Sequence, residues 1–301
     1  MNSHITKKKQ LKQLQTEYSN FVYKPWAMPL LVFSSSFIRN FKTSVTFEEE
    51  LPIDGGIIFV LNHQNFYDSL VAGYALDKKY GFTCLAGDEP RGNIQGLSFE
   101  ARGVVWISRS DTNSRKASVE TLLALLRNGQ NIGWSPEGTW NTTENRLMLP
   151  IAHGMARVAI EASKTSKVYL VPVCMDYQYK ENSYRVQRAV VRVCKAIPVS
   201  SDMHSHDLTE LVETVCWTTR WEQMEERMRH TPGCRKKENY YYYPREKLSR
   251  AQWKWFVDKL HSQYKVDWTT EESYRVVTPE ERLQQEMHKY INPSQEDMKH
   301  A

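Results

Sequence analysis

The sequence predicts an α/β fold in which a mostly parallel central sheet is flanked by helices. Short apolar runs rich in β-branched residues have the pattern of buried strands, and they alternate with stretches of helical periodicity. The clearest strands are residues 57–61, 103–107, 131–135 and 169–173, and the clearest helices are 69–76, 115–127 and 155–163. Strands alternating with helices of this length are joined by right-handed crossovers, which makes neighbouring strands parallel.

Composition sets the class of protein. The chain has 301 residues, of which 41% are hydrophobic and 25% charged, so it can form one substantial domain plus extensions. The five cysteines are scattered and lack CxxC spacing, which indicates a reducing compartment and argues against a disulfide framework or a zinc site. No stretch approaches the about 18 apolar residues of a spanning helix. We therefore expect neither a conventional membrane-spanning protein nor a secretory signal.

The N-terminal segment, residues 1–44, is predicted to be helical. Lysines cluster at positions 7–9 and 12, and an aromatic, apolar run follows at 21–33. Aromatic residues beside a short apolar run with lysines nearby suit an element that lies in the membrane interface. The alternative is a helix pair packed on the core of the domain. Both interpretations stay open at this point.

The first candidate site lies where a strand ends. Residues 44–51 are predicted as an exposed first strand and 57–61 as a buried one, which stops at Asn62. His63 follows, and Asp68 comes after four intervening residues. If a helix begins near Phe66, the Asp68 carboxylate can bind one ring nitrogen of His63 and leave the other as a general base. The alternative is an ordinary polar histidine with Asp68 only starting the helix.

Two further strand ends carry polar groups. A strand at 103–107 leads to Arg109, whose guanidinium can hold a phosphate or, alternatively, pair with Asp111. The helix after it, 115–127, has an apolar side and is expected to end at 128–129. The residues predicted for that side are Val119, Leu122, Leu123 and Leu126.

The strand at 131–135 runs into Pro136-Glu137-Gly138-Thr139, which predicts a rigid turn with a glycine that lets substrate approach the backbone. Glu137 offers a hydrogen-bond acceptor for a polar head group, and Thr139 offers a hydroxyl. Ser135 is not a hydrolase nucleophile, because Glu137 replaces the second glycine of that elbow and Pro136 has no N–H for an oxyanion.

With these blocks in order, the chain resembles the PlsC-like lysophospholipid (1-acylglycerol-3-phosphate-type) acyltransferase family. The four matching blocks are residues 62–68, 103–109, 135–139 and 171–173, and the resemblance covers about residues 45–200. It implies a glycerolipid acyltransferase fold with a catalytic domain at 45–201. It also implies that His63 is the general base for a lysophospholipid or glycerol phosphate hydroxyl, and that Asp68 orients it.

The same resemblance implies the rest of the chemistry. The activated hydroxyl attacks the thioester of acyl-CoA or acyl-carrier protein directly, with no metal and no bound redox cofactor. Arg109, Glu137, Gly138 and Thr139 are implied to hold the acceptor. Trp140 stands where many relatives have arginine, and residues 85–89 lack a lysine that many relatives carry. A charge-assisted contact is worth about 1.5–3 kcal/mol, so a larger lysophospholipid or a glycolipid stacked on Trp140 is an alternative acceptor.

Residues 202–301 form a predicted helical extension. A helix is expected at 208–230, and cations interleaved with aromatics follow at 235–245 and 253–256. Such a pattern suits an anionic membrane surface or single-stranded nucleic acid, and the alternative is an amphipathic helical cap on the domain. For a lipid enzyme we expect membrane contact at the cytoplasmic face and no nucleic acid. His204 and His206 are interpreted as a loop before the helix and not as a metal pair. The rival function from another class is a non-catalytic membrane or nucleic-acid adaptor.

Overall fold

The structure, a computed structural model, describes residues 42–64, 67–76, 79–88, 96, 99–100, 103–108, 110–138, 141, 147–179 and 186–230. Residues 1–41 of the predicted interfacial segment and the basic-aromatic part of the extension lie outside them. The chain divides into two compact units. The first contains the sheet and the site described below and comprises Met1–Trp140 and Pro150–Cys216; the second comprises Asn141–Leu149 and Trp217–Ala301.

The first unit is built on one sheet of eight strands. The strands are β1 (Lys42–Phe47), β2 (Gly56–Leu61), β3 (Thr83–Gly87), β4 (Val104–Ile107), β5 (Ile132–Trp134), β6 (Val168–Tyr179), β7 (Val186–Val193) and β8 (Ile197–Val199). Their order in the sheet is β1-β7-β6-β2-β5-β3-β4, and β8 also pairs with β6. Only the β6–β7 and β6–β8 pairs are antiparallel, and the other five pairs are parallel. The predicted α/β fold with a mostly parallel sheet is confirmed.

The helices are α1 (Asp68–Leu76), α2 (Thr112–Arg127), α3 (Gly154–Ser163) and α4 (Ser205–His230). None of the helices in the described ranges has the length and apolarity needed to cross a bilayer. The core is centred on β2, whose six residues are all buried between the parallel neighbours β5 and β6. Burial on both faces explains why this strand is continuously apolar in the sequence instead of alternating.

Strand β6 corrects one predicted boundary. The sequence indicated a strand ending at Val173, but β6 is 12 residues long and continues to Tyr179. Its second half pairs with β7 in antiparallel register, from Val173 opposite Val193 to Tyr179 opposite Val186. Hydrogen bonds with β7, the next strand in the chain, therefore extend β6 past the point where its apolar pattern stops.

The buried side of α2 differs in part from the predicted one. Leu122 and Leu126 are buried as expected, but Val119 is 37% exposed and Ser118 takes its place against the sheet. The Ser118 hydroxyl is 2.8 Å from the carbonyl oxygen of Trp106, the residue on β4 next to which it packs. A serine can be buried when its hydroxyl has a backbone acceptor. The buried face of α2 therefore includes Ser118 in place of Val119. The helix ends as predicted, at Asn128 followed by Gly129 with φ 69°.

Gly56 is required by the close approach of β2 to the end of α2. A Cβ at this position would lie 2.7 Å from the carbonyl oxygen of Leu126, which is backbone and cannot swing aside. We expect Gly56→Ala to lower the free energy of unfolding by about 1–3 kcal/mol, as overpacking does. Denaturant unfolding followed by circular dichroism measures the change. Gly154→Ala is the matched control, because a Cβ there meets no atom within 4 Å. Equal stability of the two variants would contradict the overpacking argument.

Candidate active site

The site begins with a side chain that extends the pairing of β2 and β6. The last backbone pair of these strands joins Leu61 to Val173. Beyond it, the side chain of Asn62 donates from Nδ2 to the Met175 carbonyl at 3.0 Å and accepts from the Met175 amide at Oδ1 at 2.7 Å. The side-chain amide of Asn62 thus forms the two hydrogen bonds to β6 that a backbone residue of β2 would otherwise form. It fixes the chain direction immediately before His63.

The imidazole of His63 contacts Asp68 as the sequence predicted. Nδ1 of His63 lies 2.8 Å from Oδ2 of Asp68, and the Gln64 amide donates to the same oxygen at 2.6 Å. Asp68 is the first residue of α1 and is 1% exposed, whereas the His63 side chain is 26% exposed. Because an ionised carboxylate only accepts, the Nδ1 proton belongs to the imidazole and Nε2 is its basic nitrogen. Asp68 has both of the roles that the sequence suggested, because it begins α1 and also contacts His63.

Tyr177 also contacts Asp68, although no motif in the sequence points to it. Its hydroxyl donates to Oδ1 of Asp68 at 2.7 Å, and the residue is 3% exposed. The apolar pattern predicts a strand that ends at Val173, four residues before Tyr177, and therefore does not bring Tyr177 to the site. Alternation along a longer β6 would have placed it on the same face as Val173 and Met175, since side chains two apart share a face.

Glu137 reaches the same edge of the sheet from β5. Strands β5 and β2 are parallel neighbours, so both end at the carboxyl edge of the sheet. After β5, the Gly138 amide donates to the Ser135 carbonyl at 3.1 Å with Gly138 at φ 72°, which is the predicted turn. Glu137 is fully buried, and its Oε1 accepts from the His63 amide at 2.7 Å. One oxygen of the carboxylate therefore binds the backbone of the histidine.

The structure thus brings together four of the predicted site residues: His63, Asp68, Glu137 and Gly138. The other three, Arg109, Thr139 and Trp140, lie outside the described residues. Strand β4, which precedes position 109, is parallel to β3 and ends at the same carboxyl edge of the sheet.

Within the described ranges, no group of three or more histidine, cysteine or acidic side chains is arranged to hold a metal ion. The four cysteines of this part, Cys84, Cys174, Cys194 and Cys216, are buried thiols. His204 precedes α4 as predicted, but the predicted loop is wrong for His206. That residue belongs to the first turn of α4, and its Nε2 lies 3.6 Å from Oε1 of Glu210 one turn later.

Known proteins match this arrangement in sequence and in fold. Residues 42–176 match the model of the family described as Acyltransferase. A protein from Brassica napus named 1-acyl-sn-glycerol-3-phosphate acyltransferase BAT2, chloroplastic, is 28% identical over 165 residues, which are 53% of this chain. The chain spans 42% of that relative's length.

The fold also resembles a crystal structure of the 1-acyl-sn-glycerophosphate (LPA) acyltransferase PlsC from Thermotoga maritima. The match has a TM-score of 0.50 at 19% identity and covers 65% of this chain and 79% of that one. The mostly parallel sheet flanked by helices is therefore the fold of a PlsC acyltransferase. Residues 42–176 of this chain are thus similar in sequence to the Acyltransferase family, and the fold of the chain is similar to that of PlsC.

Proposed function

We propose that the protein is an O-acyltransferase that moves a fatty acyl group from acyl-CoA or acyl-carrier protein to a hydroxyl of a lysophospholipid or glycerol phosphate. The observation that carries the proposal is the 2.8 Å contact of His63 with Asp68 in a domain that is similar to this family. The imidazole lies at the carboxyl ends of parallel strands, where open α/β sheets bind their ligands. It is partly exposed, so an acceptor hydroxyl can reach Nε2.

The reaction needs one base and one leaving group. Nε2 of His63 takes the proton of the acceptor hydroxyl, and the oxygen attacks the thioester carbonyl carbon. The C–S bond then breaks, and the departing thiolate takes the proton back from the imidazolium. The products are an ester and a free thiol, with no covalent acyl-enzyme, no metal and no redox cofactor. Asp68 balances the charge of the imidazolium during the step.

Acceptor binding falls to the polar residues around this pair. In the proposal, Arg109 binds the phosphate of the acceptor, and Gly138 and Thr139 contact its head group. Glu137 is fully buried and supports the site by accepting the hydrogen bond of the His63 amide. Positioning of this kind supplies much of the rate beyond the contribution of the base.

A thioester-release assay with the purified full chain in mixed micelles tests the function. Acyl-CoA and acyl-carrier protein are offered with glycerol phosphate, lysophosphatidic acid, a lysophospholipid with a larger head group and a glycolipid. Thiol release that depends on an acceptor, with formation of the matching ester, is the expected result. Release without any acceptor indicates a hydrolase, and no release with the whole panel supports a non-catalytic adaptor.

A glycolipid or other large amphiphile is the second candidate acceptor. Trp140 stands where many members of the family that the chain resembles have an arginine that faces the phosphate. An indole can stack on a sugar or a large head group but adds no positive charge for a phosphate. In the assay panel, this candidate requires a higher kcat/KM for the glycolipid than for lysophosphatidic acid. The opposite order retains the phosphate-bearing acceptor.

We further propose that the N-terminal segment holds the enzyme on the cytoplasmic face of a membrane. Strand β1 begins at Lys42, so a deletion of residues 1–41 leaves the sheet intact. We expect this deletion to lower the fraction of protein that floats with anionic liposomes, because it removes a basic, aromatic segment suited to the interface. Flotation equal to that of the full chain would contradict the proposal. Circular dichroism serves as the control for folding.

A further inference from the structure

Asp68 is held on both of its oxygens, and by different parts of the chain. Oδ2 accepts from the Gln64 amide and faces Nδ1 of His63, whereas Oδ1 accepts the Tyr177 hydroxyl at 2.7 Å. Gln64 is a near neighbour in sequence, but Tyr177 is 109 residues away on β6. The Tyr177 hydroxyl therefore donates to Oδ1, whereas the imidazole contacts Oδ2. It ties the start of α1 to the central sheet.

The position of the phenol is itself fixed relative to His63. The side chain of Asn62 binds both the amide and the carbonyl of Met175, and Tyr177 is two residues further along the same strand. The clamp therefore fixes the strand that carries the phenol next to the residue that precedes His63. Any rotation of the Asp68 carboxylate would break the bond to the phenol or the bond to the Gln64 amide.

We propose that Tyr177 is a positioning residue whose phenol holds the Asp68 carboxylate in the orientation that keeps Nε2 of His63 ready to accept the substrate proton. The proposal rests on the function assigned above to His63. A hydroxyl bound to a carboxylate is a charge-assisted hydrogen bond, stronger than one between neutral groups. Because Tyr177 and Asp68 are both almost fully buried, solvent water has little access to the carboxylate and is a poor substitute for the hydrogen bond of the phenol.

The phenol also moderates the charge of Asp68. A donor hydrogen bond withdraws negative charge from the carboxylate, which weakens its hold on the imidazolium proton. Without the hydroxyl, the imidazolium is more stable and His63 becomes an active base only at higher pH. The acid limb of the pH profile of kcat/KM should therefore move upward. A side chain that only filled space would not change that limb.

Tyr177→Phe is the direct test, because it removes one oxygen and keeps the buried ring. We expect kcat to fall about tenfold to a hundredfold, as for the loss of a hydrogen bond to a charged group. KM for the acceptor and for the acyl thioester should change little. The acid limb should move to higher pH.

Tyr169→Phe is the matched control. Tyr169 lies on the same strand, and its hydroxyl also donates to an aspartate, Asp54, at 2.9 Å. It precedes Val173, opposite Ile57 at the amino end of β2, so it lies at the other edge of the sheet from the site. Its kcat and pH profile should match the unmodified enzyme. An equal fall in both variants, or a fall in Tyr177→Phe with an unmoved acid limb, would reduce Tyr177 to a structural role and overturn the proposal.

Site-specific replacement of Tyr177 by 3-fluorotyrosine covers the case in which Tyr177→Phe does not fold. The fluorinated phenol keeps its shape but is a stronger donor, so the acid limb should move to lower pH. An unmoved limb overturns the proposal.

A readout independent of turnover is the downfield proton NMR signal of the His63 Nδ1–H, identified by its loss in His63→Ala. The signal should shift in Tyr177→Phe and stay in place in Tyr169→Phe. An unshifted signal in Tyr177→Phe refutes the positioning role. Full activity of His63→Ala instead refutes the proposed function, so the two failures are distinguishable.

Discussion

His63→Ala is expected to lower kcat/KM for acyl transfer by about 10²–10⁴-fold, the usual contribution of a general base. The imidazole is the group that takes the acceptor proton, and its Nδ1 contact with Asp68 leaves Nε2 to do so. The side chain is partly exposed, so its removal should not unfold the domain. Initial rates of thiol release at saturating acyl thioester measure the effect.

His206→Ala is the control for losing a histidine. His206 belongs to α4, and its side chain is 66% exposed and faces Glu210. Activity of this variant should equal that of the unmodified enzyme, and both variants should bind liposomes as before. A His63→Ala enzyme that keeps more than about a tenth of the activity would be inconsistent with a general base worth 10²-fold or more.

Asp68 is the second position where a large effect is expected, and two substitutions separate its contributions. Asp68→Ala removes the charge and the acceptor, and kcat should fall about 10²–10⁴-fold because the imidazole loses both orientation and charge balance. For Asp68→Asn we expect a smaller decrease in kcat. The Gln64 amide can only donate, so the asparagine must place its carbonyl oxygen at the Oδ2 position, where it still accepts from His63.

The asparagine keeps the tautomer of His63 but not the negative charge. Its NH₂ group then faces the hydroxyl of Tyr177, which can rotate and accept. Without the carboxylate the imidazolium is less stable, so the acid limb of kcat/KM should move to lower pH, opposite to the direction expected for Tyr177→Phe. Rates and pH profiles test this, with thermal unfolding as the control for α1. Equal loss in the two Asp68 variants would assign the whole effect to charge.

Several features followed from the sequence because they depend on local patterns. The alternation of apolar strands and helices predicted the mostly parallel α/β sheet, since a parallel strand buried on both faces must be apolar throughout. The C-terminal end of α2 followed from Asn128 and Gly129, a pair suited to stopping a helix, whereas its start is Thr112 and not the predicted residue 115. The contact of His63 with Asp68 also followed, because only four residues separate them and a helix begins at Asp68.

The tertiary structure alone decided the contacts between distant segments. Glu137 was expected to face the acceptor, yet one of its oxygens binds the His63 amide, because β2 and β5 are parallel neighbours that end together. Tyr177 joined the site because antiparallel pairing with β7 carries β6 beyond its apolar run. Pattern and spacing specify what a residue does to its own element. Which side chains then meet at the edge of the sheet is set by strand order and register, which depend on the whole chain.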